Sequence, residues 1–88
     1  SISIVSPLSG SVVSGSVNVQ VLASDNKAVT KVELYVNGKR VASSTTPPFS
    51  MTWNTRGLKA ATYTLQCRAY DAAGNSAWSN SVKVTVTK

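Results

Sequence analysis

Residues 32–44, VELYVNGKRVASS, decide the fold class of this chain. Valine and leucine alternate there with polar or aromatic residues, which is the period of a strand with one buried face. Asn37 and Gly38 follow at once, and this pair is typical of a type I′ turn because both central residues of that turn need a positive φ. Residues 39–45 then form the returning strand. The stretch predicts an antiparallel β-hairpin.

The same period of two recurs along the whole chain of 88 residues, and no helical period of convincing length is present. Pro47 and Pro48 cannot donate ladder hydrogen bonds, so the chain is expected to leave the sheet there. Turn residues separate seven predicted strands, a pattern typical of an all-β, antiparallel two-sheet sandwich. Residues 1–88 suit a single domain of this kind. The alternation predicts a core that contains Val19, Val21, Val32, Leu34, Val36, Trp53, Leu65, Val82 and Val84.

The charge of the chain is strongly positive, with nine basic residues against three acidic ones and a net charge of +6. This excess favours attraction to anionic surfaces. The bases are scattered along the sequence, whereas a nucleic-acid site clusters them on one face with stacking aromatics, so no nucleic-acid partner is expected. No apolar run approaches the roughly 18 residues of a membrane helix, so membrane insertion is not expected either. We expect a monomer.

Histidine is absent and cysteine occurs once, which limits the available chemistry. Without histidine, Ser-His-Asp and Cys-His catalysis and the usual general base near neutral pH are excluded. The single cysteine, Cys67, allows neither an internal disulfide nor a multi-cysteine metal site, and its inward phase predicts burial as a small hydrophobe. Trp53 shares the phase of Phe49 and Met51 and is also expected in the core. We expect no catalytic residues and no cofactor.

Oxygen-bearing side chains occur in two loops that should lie at one end of the sandwich. Asp25, Asn26, Asp71 and Asn75 could supply calcium ligands there. Two carboxylates are few for this ion, and a basic chain opposes it, whereas Asp and Asn commonly brace turns through their own backbone. Turn bracing is the favoured interpretation, and no metal site is predicted.

The outward face of the sheet made by the third, sixth and seventh predicted strands holds the candidate ligand-binding residues. Antiparallel pairing should bring Glu33 near Arg68 as an exposed ion pair that contributes little. Exposed rings on a flat sheet can stack on sugars, although single surface aromatics are also normal. The candidates are three aromatic and two basic residues: Tyr35, Arg68, Tyr70, Trp78 and Lys83.

Two placements are open for Trp78 in the stretch AYDAAGNSAWSN, residues 69–80. If the last strand runs unbroken back from Val82, position 78 faces inward and the indole closes the open end of the core. If residues 71–79 form a loop or bulge, as the surrounding Gly, Asn and Ser indicate, the indole is exposed beside Tyr70. Partial burial as an end cap is favoured.

Three segments in succession resemble the bacterial Ig-like domains of secreted and surface proteins: SPLSGSVVSGSVNVQVLASD (6–25), VTKVELYVNGKRVASSTTPPFSMTWNT (29–55) and YTLQCRAYDAAGN (63–75). The spacing after Tyr63 also resembles a fibronectin type III strand, with Tyr63 as the corner tyrosine. Members of the family are non-catalytic modules beside proteases, chitinases, other polysaccharide hydrolases and adhesins. The resemblance implies an extracellular or cell-surface accessory module whose partners are the other domains of its parent chain.

The sequence is compared with three classes of function. A structural or spacer module of a larger secreted or cell-surface protein, such as a polymer-degrading hydrolase or an adhesin, needs no special residue. A polysaccharide-binding module is the alternative, because the exposed aromatics and basic sheet face suit a polysaccharide or an anionic cell-surface polymer. An enzyme has almost no support.

Overall fold

A computed structural model describes residues 2–23, 29–45 and 49–87, and these residues form nine β-strands and no helix. They therefore include no helix of the length and apolarity that a membrane crossing needs. In chain order the strands are β1 (Ile2–Ser6), β2 (Val12–Val13), β3 (Ser16–Ala23), β4 (Val29–Val36), β5 (Lys39–Ser44), β6 (Ser50–Asn54), β7 (Ala61–Asp71), β8 (Ser76–Trp78) and β9 (Val82–Val86).

The strands form two sheets that pack as a sandwich. The smaller sheet has the order β1-β3-β6 and is antiparallel. The larger sheet has the order β2-β9-β7-β4-β5, and β8 also pairs with β7. Because β4 pairs along one edge of β7, β8 and β9 share its other edge. Strand β2 runs parallel to β9, so the larger sheet is mixed rather than wholly antiparallel.

The predicted all-β sandwich is confirmed, but the predicted number of seven strands was wrong. The first predicted strand is divided, because β1 pairs in the smaller sheet whereas β2 pairs in the larger one. The second additional strand is β8, which precedes the last predicted strand and pairs with β7 beside β9. One additional strand thus comes from the division of the first predicted strand, and the other lies in the segment before Val82.

The core lies between the sheets, and the alternating pattern predicted its residues well. Every predicted core residue is buried except Val21, which packs against the core while partly exposed. Cys67 is fully buried, and this burial raises the pKa of its thiol to about 12. The rings of Tyr63 and Trp53 pack in a T-shaped arrangement with their centroids 5.8 Å apart. The Tyr63 hydroxyl donates to the Lys59 carbonyl at 2.7 Å, as expected of a corner tyrosine.

The predicted hairpin joins β4 to β5 and reaches a third strand. Asn37 has φ of 51° and Gly38 has φ of 83°, which are the positive values that a type I′ turn requires. The Asn37 side-chain carbonyl accepts a hydrogen bond from the Thr64 N–H at 2.9 Å, and the Asn37 N–H donates to the Thr64 carbonyl at 2.9 Å. The turn is therefore tied to β7, and Asn37 and Thr64 lie together at one end of the outer sheet face.

Candidate ligand-binding face

The outer surface of the larger sheet gathers polar and aromatic side chains from β4, β7 and β8. In the β4–β7 register, Lys31 lies opposite Tyr70, Glu33 opposite Arg68 and Tyr35 opposite Gln66. Opposite residues of a strand pair point to the same side of the sheet. Strand β8 extends this surface, because Arg68 also lies opposite Trp78. We call the outer surface of these three strands the aromatic face.

Trp78 belongs to the aromatic face, so the expectation that it caps the end of the core was wrong. Val82 lies opposite the buried Leu65, and Trp78 lies opposite Arg68. Between these two pairs, β7 covers three positions (65 to 68), whereas the antiparallel segment that faces it covers four (78 to 82). The extra residue is a bulge, and a slip of one residue turns a side chain to the other face. The indole is consequently 47% exposed.

Ser79 occupies this bulge and holds it with its side chain. Its hydroxyl oxygen accepts the Cys67 N–H at 2.9 Å, and its own N–H donates to the Cys67 carbonyl at 2.8 Å. The same hydroxyl donates to the Asn80 carbonyl at 2.9 Å. Ser79 is only 6% exposed, so these bonds satisfy polar groups that water does not reach. This role was not predicted; the only signal is a serine beside Trp78.

Rings and cations are in contact across the aromatic face. The rings of Tyr35 and Trp78 meet over β7, with centroids 5.0 Å apart and planes inclined at 58°. The Arg68 guanidinium carbon lies 5.2 Å from the ring centroid of Trp78 and 5.2 Å from that of Tyr70. Lys31 Nζ lies 4.8 Å from the Tyr70 centroid. These distances suit cation–π attraction, which keeps the rings and the guanidinium together.

Glu33 lies beneath this cluster and does not form the expected exposed ion pair with Arg68. It is only 3% exposed, because the longer side chains around it cover its carboxylate. Oε1 accepts the hydroxyl of Tyr70 at 2.7 Å and that of Tyr35 at 3.0 Å. Oε2 lies 3.0 Å from Arg40 Nη1 and 3.3 Å from Lys31 Nζ. The predicted register, with Glu33 opposite Arg68, is therefore correct. The predicted ion pair is wrong, because the Glu33 carboxylate pairs with Lys31 and Arg40.

The hydrogen bonds to Glu33 shift its own pKa and that of Tyr70. The Tyr70 hydroxyl is the main cause that lowers the pKa of Glu33 to about 2, assisted by Arg40, Tyr35 and Lys31 and opposed by desolvation. The same bond raises the pKa of Tyr70, because its proton is held by a carboxylate. The Tyr70 phenol therefore stays protonated. Both hydroxyls are directed at Glu33.

An open depression of about 470 Å³ lies beside the rings and has a mixed lining. Its volume is within the range typical of small-molecule sites. Ring surface and a guanidinium form part of the wall, and amide and hydroxyl groups form the rest. Gln66 Nε2 donates to the Ser79 carbonyl at 3.3 Å, which ties the floor to the bulge. The lining residues are Tyr35, Asn37, Gly38, Thr64, Gln66, Arg68 and Trp78.

The structure brings most of the candidate residues together at this depression. Tyr35, Arg68 and Trp78 line it. Tyr70 supports the Arg68 guanidinium from the side without lining the depression. Lys83 is exposed on β9 opposite Thr64, outside the lining. The polar lining residues Asn37, Thr64 and Gln66 were not predicted, although the outward phase of the last two on β7 could have shown them.

Asp71, one of the two carboxylates considered above as calcium ligands, braces a turn. Its Oδ1 accepts the N–H groups of Ala73 and Asn75, each at 2.9 Å, and its Oδ2 accepts the Asn75 side-chain amide at 3.3 Å. These are the local bonds expected of an aspartate at a turn. Asp25 and Asn26 lie outside the described residues, and within the described ranges no three Cys, Asp or Glu side chains group as metal ligands.

Solved structures with this fold include fibronectin(III)-like modules, a mannanase and a lytic polysaccharide monooxygenase. The fibronectin(III)-like modules of CbhA from Clostridium thermocellum match with a TM-score of 0.89 and 25% identity, over 98% of this chain and 94% of that one. The endo-β-1,4-mannanase from Thermotoga petrophila matches with a TM-score of 0.79 and 14% identity, over 100% of this chain and 20% of that one. A lytic polysaccharide monooxygenase from Jonesia denitrificans matches with a TM-score of 0.66 and 19% identity, over 92% of this chain and 60% of that one.

The second and third of these proteins are longer than this chain, which spans less than two thirds of each, and at their identities they show the fold alone. No curated protein matches the chain. The family model of the bacterial Ig domain matches residues 1–66, well over half of the sequence. The chain therefore belongs to the bacterial Ig domain family, with a fibronectin type III-like sandwich.

Proposed function

We propose that this chain is a non-catalytic accessory module of a larger secreted or cell-surface protein, a polymer-degrading hydrolase or an adhesin. The observation that carries this proposal is the match to the CbhA modules over nearly the full length of both chains. The same fold forms only a fifth of the matched mannanase chain, which is the proportion expected of a module beside other domains. The partners of the chain are then the other domains of its parent protein.

Structural roles of the reactive side chains support a non-catalytic module. The Glu33 carboxylate is covered and receives four donors, and Asp71 braces a turn. The Cys67 thiol is buried and stays protonated because its pKa is raised to about 12. A general base or nucleophile needs a site that a substrate can reach and a pKa near the working pH. Glu33 and Cys67 meet neither requirement, and the Asp71 carboxylate is engaged in its turn.

Deletion within the parent protein tests the accessory role. Removal of residues 1–88 should leave turnover of a small soluble substrate within about twofold of the full-length value, since chemistry occurs in another domain. The isolated chain should release no reducing ends from cellulose, mannan, chitin or polygalacturonate. Hydrolysis that co-purifies with the isolated chain would contradict the proposal.

Polysaccharide binding is a second candidate, and the exposure of Trp78 favours it. An indole that is 47% exposed beside a second ring and a depression of about 470 Å³ offers apolar surface on which a pyranose ring can stack. Asn37, Thr64 and Gln66 place amide and hydroxyl groups at the same depression. Sites of this mixed kind orient ligands through a few polar groups on an apolar wall.

A pull-down on insoluble polysaccharide, with Trp78→Ala as the variant, tests this second candidate. Leu8→Ala is the matched control, because Leu8 is also an exposed apolar side chain, at 71%, and does not line the depression. We expect Trp78→Ala to abolish retention that survives 0.5 M salt and Leu8→Ala to leave it unchanged, since stacking outlasts screened charge. Retention lost equally in both variants, or absent from the wild-type chain, would refute a stacking site.

A further inference from the structure

We propose that the depression binds an acidic saccharide, with the sugar ring against Trp78 and the anionic group of the same sugar on the Arg68 guanidinium. This inference rests on the polysaccharide-binding function proposed above and names its ligand class. The anionic group is a carboxylate, as in a uronic acid, or a sulfate. The inference rests on the juxtaposition, on the wall of the depression, of one exposed ring and one cation that forms no ion pair with any described residue.

The charges of the aromatic face leave Arg68 without a carboxylate partner. Glu33 lies opposite Arg68 in register, but its Oε2 is within 3.3 Å of Lys31 Nζ and within 3.0 Å of Arg40 Nη1. Among the residues that the structure describes, Arg68 is in no ion pair. Its positive charge therefore adds to the field of a chain of net charge +6 and attracts an anion to the depression.

Arg68, which lines the depression, also has hydrogen-bond donors available. Its Nε donates to the Ser76 hydroxyl at 3.0 Å, which fixes the guanidinium plane, and the rings of Tyr70 and Trp78 support it. Within the described part of the chain its two Nη groups make no hydrogen bond. Two parallel N–H donors match a carboxylate or sulfate in bidentate fashion, and a fixed guanidinium loses less entropy on binding.

The spacing of ring and charge fits one sugar residue. The guanidinium carbon and the Trp78 centroid are 5.2 Å apart. In a uronic acid the carboxyl carbon is bonded directly to the pyranose ring, so one residue reaches both groups. The hydroxyls of the sugar then face Asn37, Thr64 and Gln66 on the remaining wall. A neutral sugar can use the ring and these polar groups but leaves the Nη donors without an anion.

The test compares oligosaccharides that differ in charge. Titration calorimetry at 0.15 M salt uses hexamers of galacturonate, of a sulfated galactan and of neutral galactose. The chain variants are Arg68→Gln and, as the matched control, Lys59→Gln, which removes one positive charge from an exposed residue outside the lining. We expect an acidic hexamer to bind, Arg68→Gln to weaken it at least about tenfold, and Lys59→Gln to weaken it less than about twofold.

Each outcome bears on the proposal separately from the binding function. Dependence on Arg68 with either acidic hexamer supports the proposal and identifies the anionic group. Equal losses in the two variants would show diffuse attraction to a basic chain and overturn it. A neutral hexamer bound as tightly as the acidic ones would overturn the acidic assignment and leave saccharide binding intact. No binding of any hexamer would overturn both. If Arg68→Gln lowers the melting temperature, Arg68→Lys replaces it as the test variant. Lysine keeps the positive charge but lacks the planar pair of N–H donors, so this variant should still bind the acidic hexamer several-fold more weakly than the wild-type chain does.

Discussion

The carboxylate of Glu33 lies on the solvent side of a sheet and is nevertheless covered. Alternation correctly placed Glu33 on the outward face opposite Arg68. It could not show which neighbouring side chains would fold over it, because that depends on the reach of Tyr35, Tyr70 and Arg40 across two strands. The face of the sheet on which a side chain lies can thus be predicted from the sequence. Whether a side chain on the outward face is buried depends on the lengths of its neighbours in adjacent strands.

Acid should weaken the fold through Glu33. Its folded pKa of about 2 lies below the ordinary value of 4.5, so its stabilisation is present above about pH 4.5 and is lost as the pH falls towards 2. We expect the wild-type chain to lose about 1–3 kcal/mol more unfolding free energy between pH 6 and pH 2 than Glu33→Gln does, after allowance for surface screening. Urea unfolding across this range measures the two slopes. Parallel slopes would contradict this role for Glu33.

Cys67 should be unreactive while the chain is folded. Its side chain is fully buried and its thiol pKa is raised to about 12, and only a thiolate reacts quickly with thiol reagents. We expect a bulky aromatic disulfide reagent at pH 8 to label the native chain at least about a hundredfold more slowly than the chain in 6 M guanidinium. Stoichiometric labelling of the native chain within seconds would show that the core is open there.

The bulge between β8 and β9 is the element that the sequence-based prediction missed. Strand phases, the hairpin and nearly all core residues could be predicted, because each depends on a period maintained over several residues. The face of Trp78 depends on one inserted residue, and the polar run that contains Ser79 and Asn80 signals a break without giving its length. Trp78 is therefore the lining residue whose face could not be predicted, whereas Thr64 and Gln66 keep the outward phase of β7.

Removal of the Ser79 hydroxyl should destabilise the bulge. Ser79→Ala leaves the buried Cys67 N–H without its acceptor, and an unsatisfied buried donor costs about 1–3 kcal/mol. Ser81→Ala is the matched control, because Ser81 is exposed two positions away, and it should change stability by less than about 0.5 kcal/mol. Urea unfolding at pH 7 compares them. Equal stability of the two variants would mean that the hydroxyl does not hold the bulge.

Glycine is needed at position 38 of the β4–β5 turn because of its backbone conformation and not because of a lack of space. A Cβ built at Gly38 or at Gly57 meets no atom within 4 Å, but only Gly38 has a positive φ, of 83°. We therefore expect Gly38→Ala to lower the unfolding free energy by about 1–2 kcal/mol and Gly57→Ala to leave it unchanged or slightly raised. Thermal unfolding of the pair measures the difference. A neutral Gly38→Ala would argue against the type I′ turn.

The whole molecule places its two tryptophans in opposite environments. Trp53 packs in the core between the sheets, whereas Trp78 lies on the aromatic face through the strand order β4-β7-β8. The sandwich thus carries the proposed binding surface on the outer side of its larger sheet. The two indole N–H groups give separate reports, one from the core and one from the proposed site.

The central claim, that the aromatic face binds a saccharide, is tested most directly by following these two indole N–H signals by ¹H–¹⁵N NMR. A Trp78→Phe spectrum assigns the signals before galacturonate hexamer is added to the wild-type chain. We predict that the Trp78 indole signal and the backbone amides of Thr64, Gln66 and Arg68 shift progressively to saturation while the Trp53 signal stays in place. Saturable shifts confined to another surface, or no shift at Trp78 at millimolar hexamer, would contradict the account.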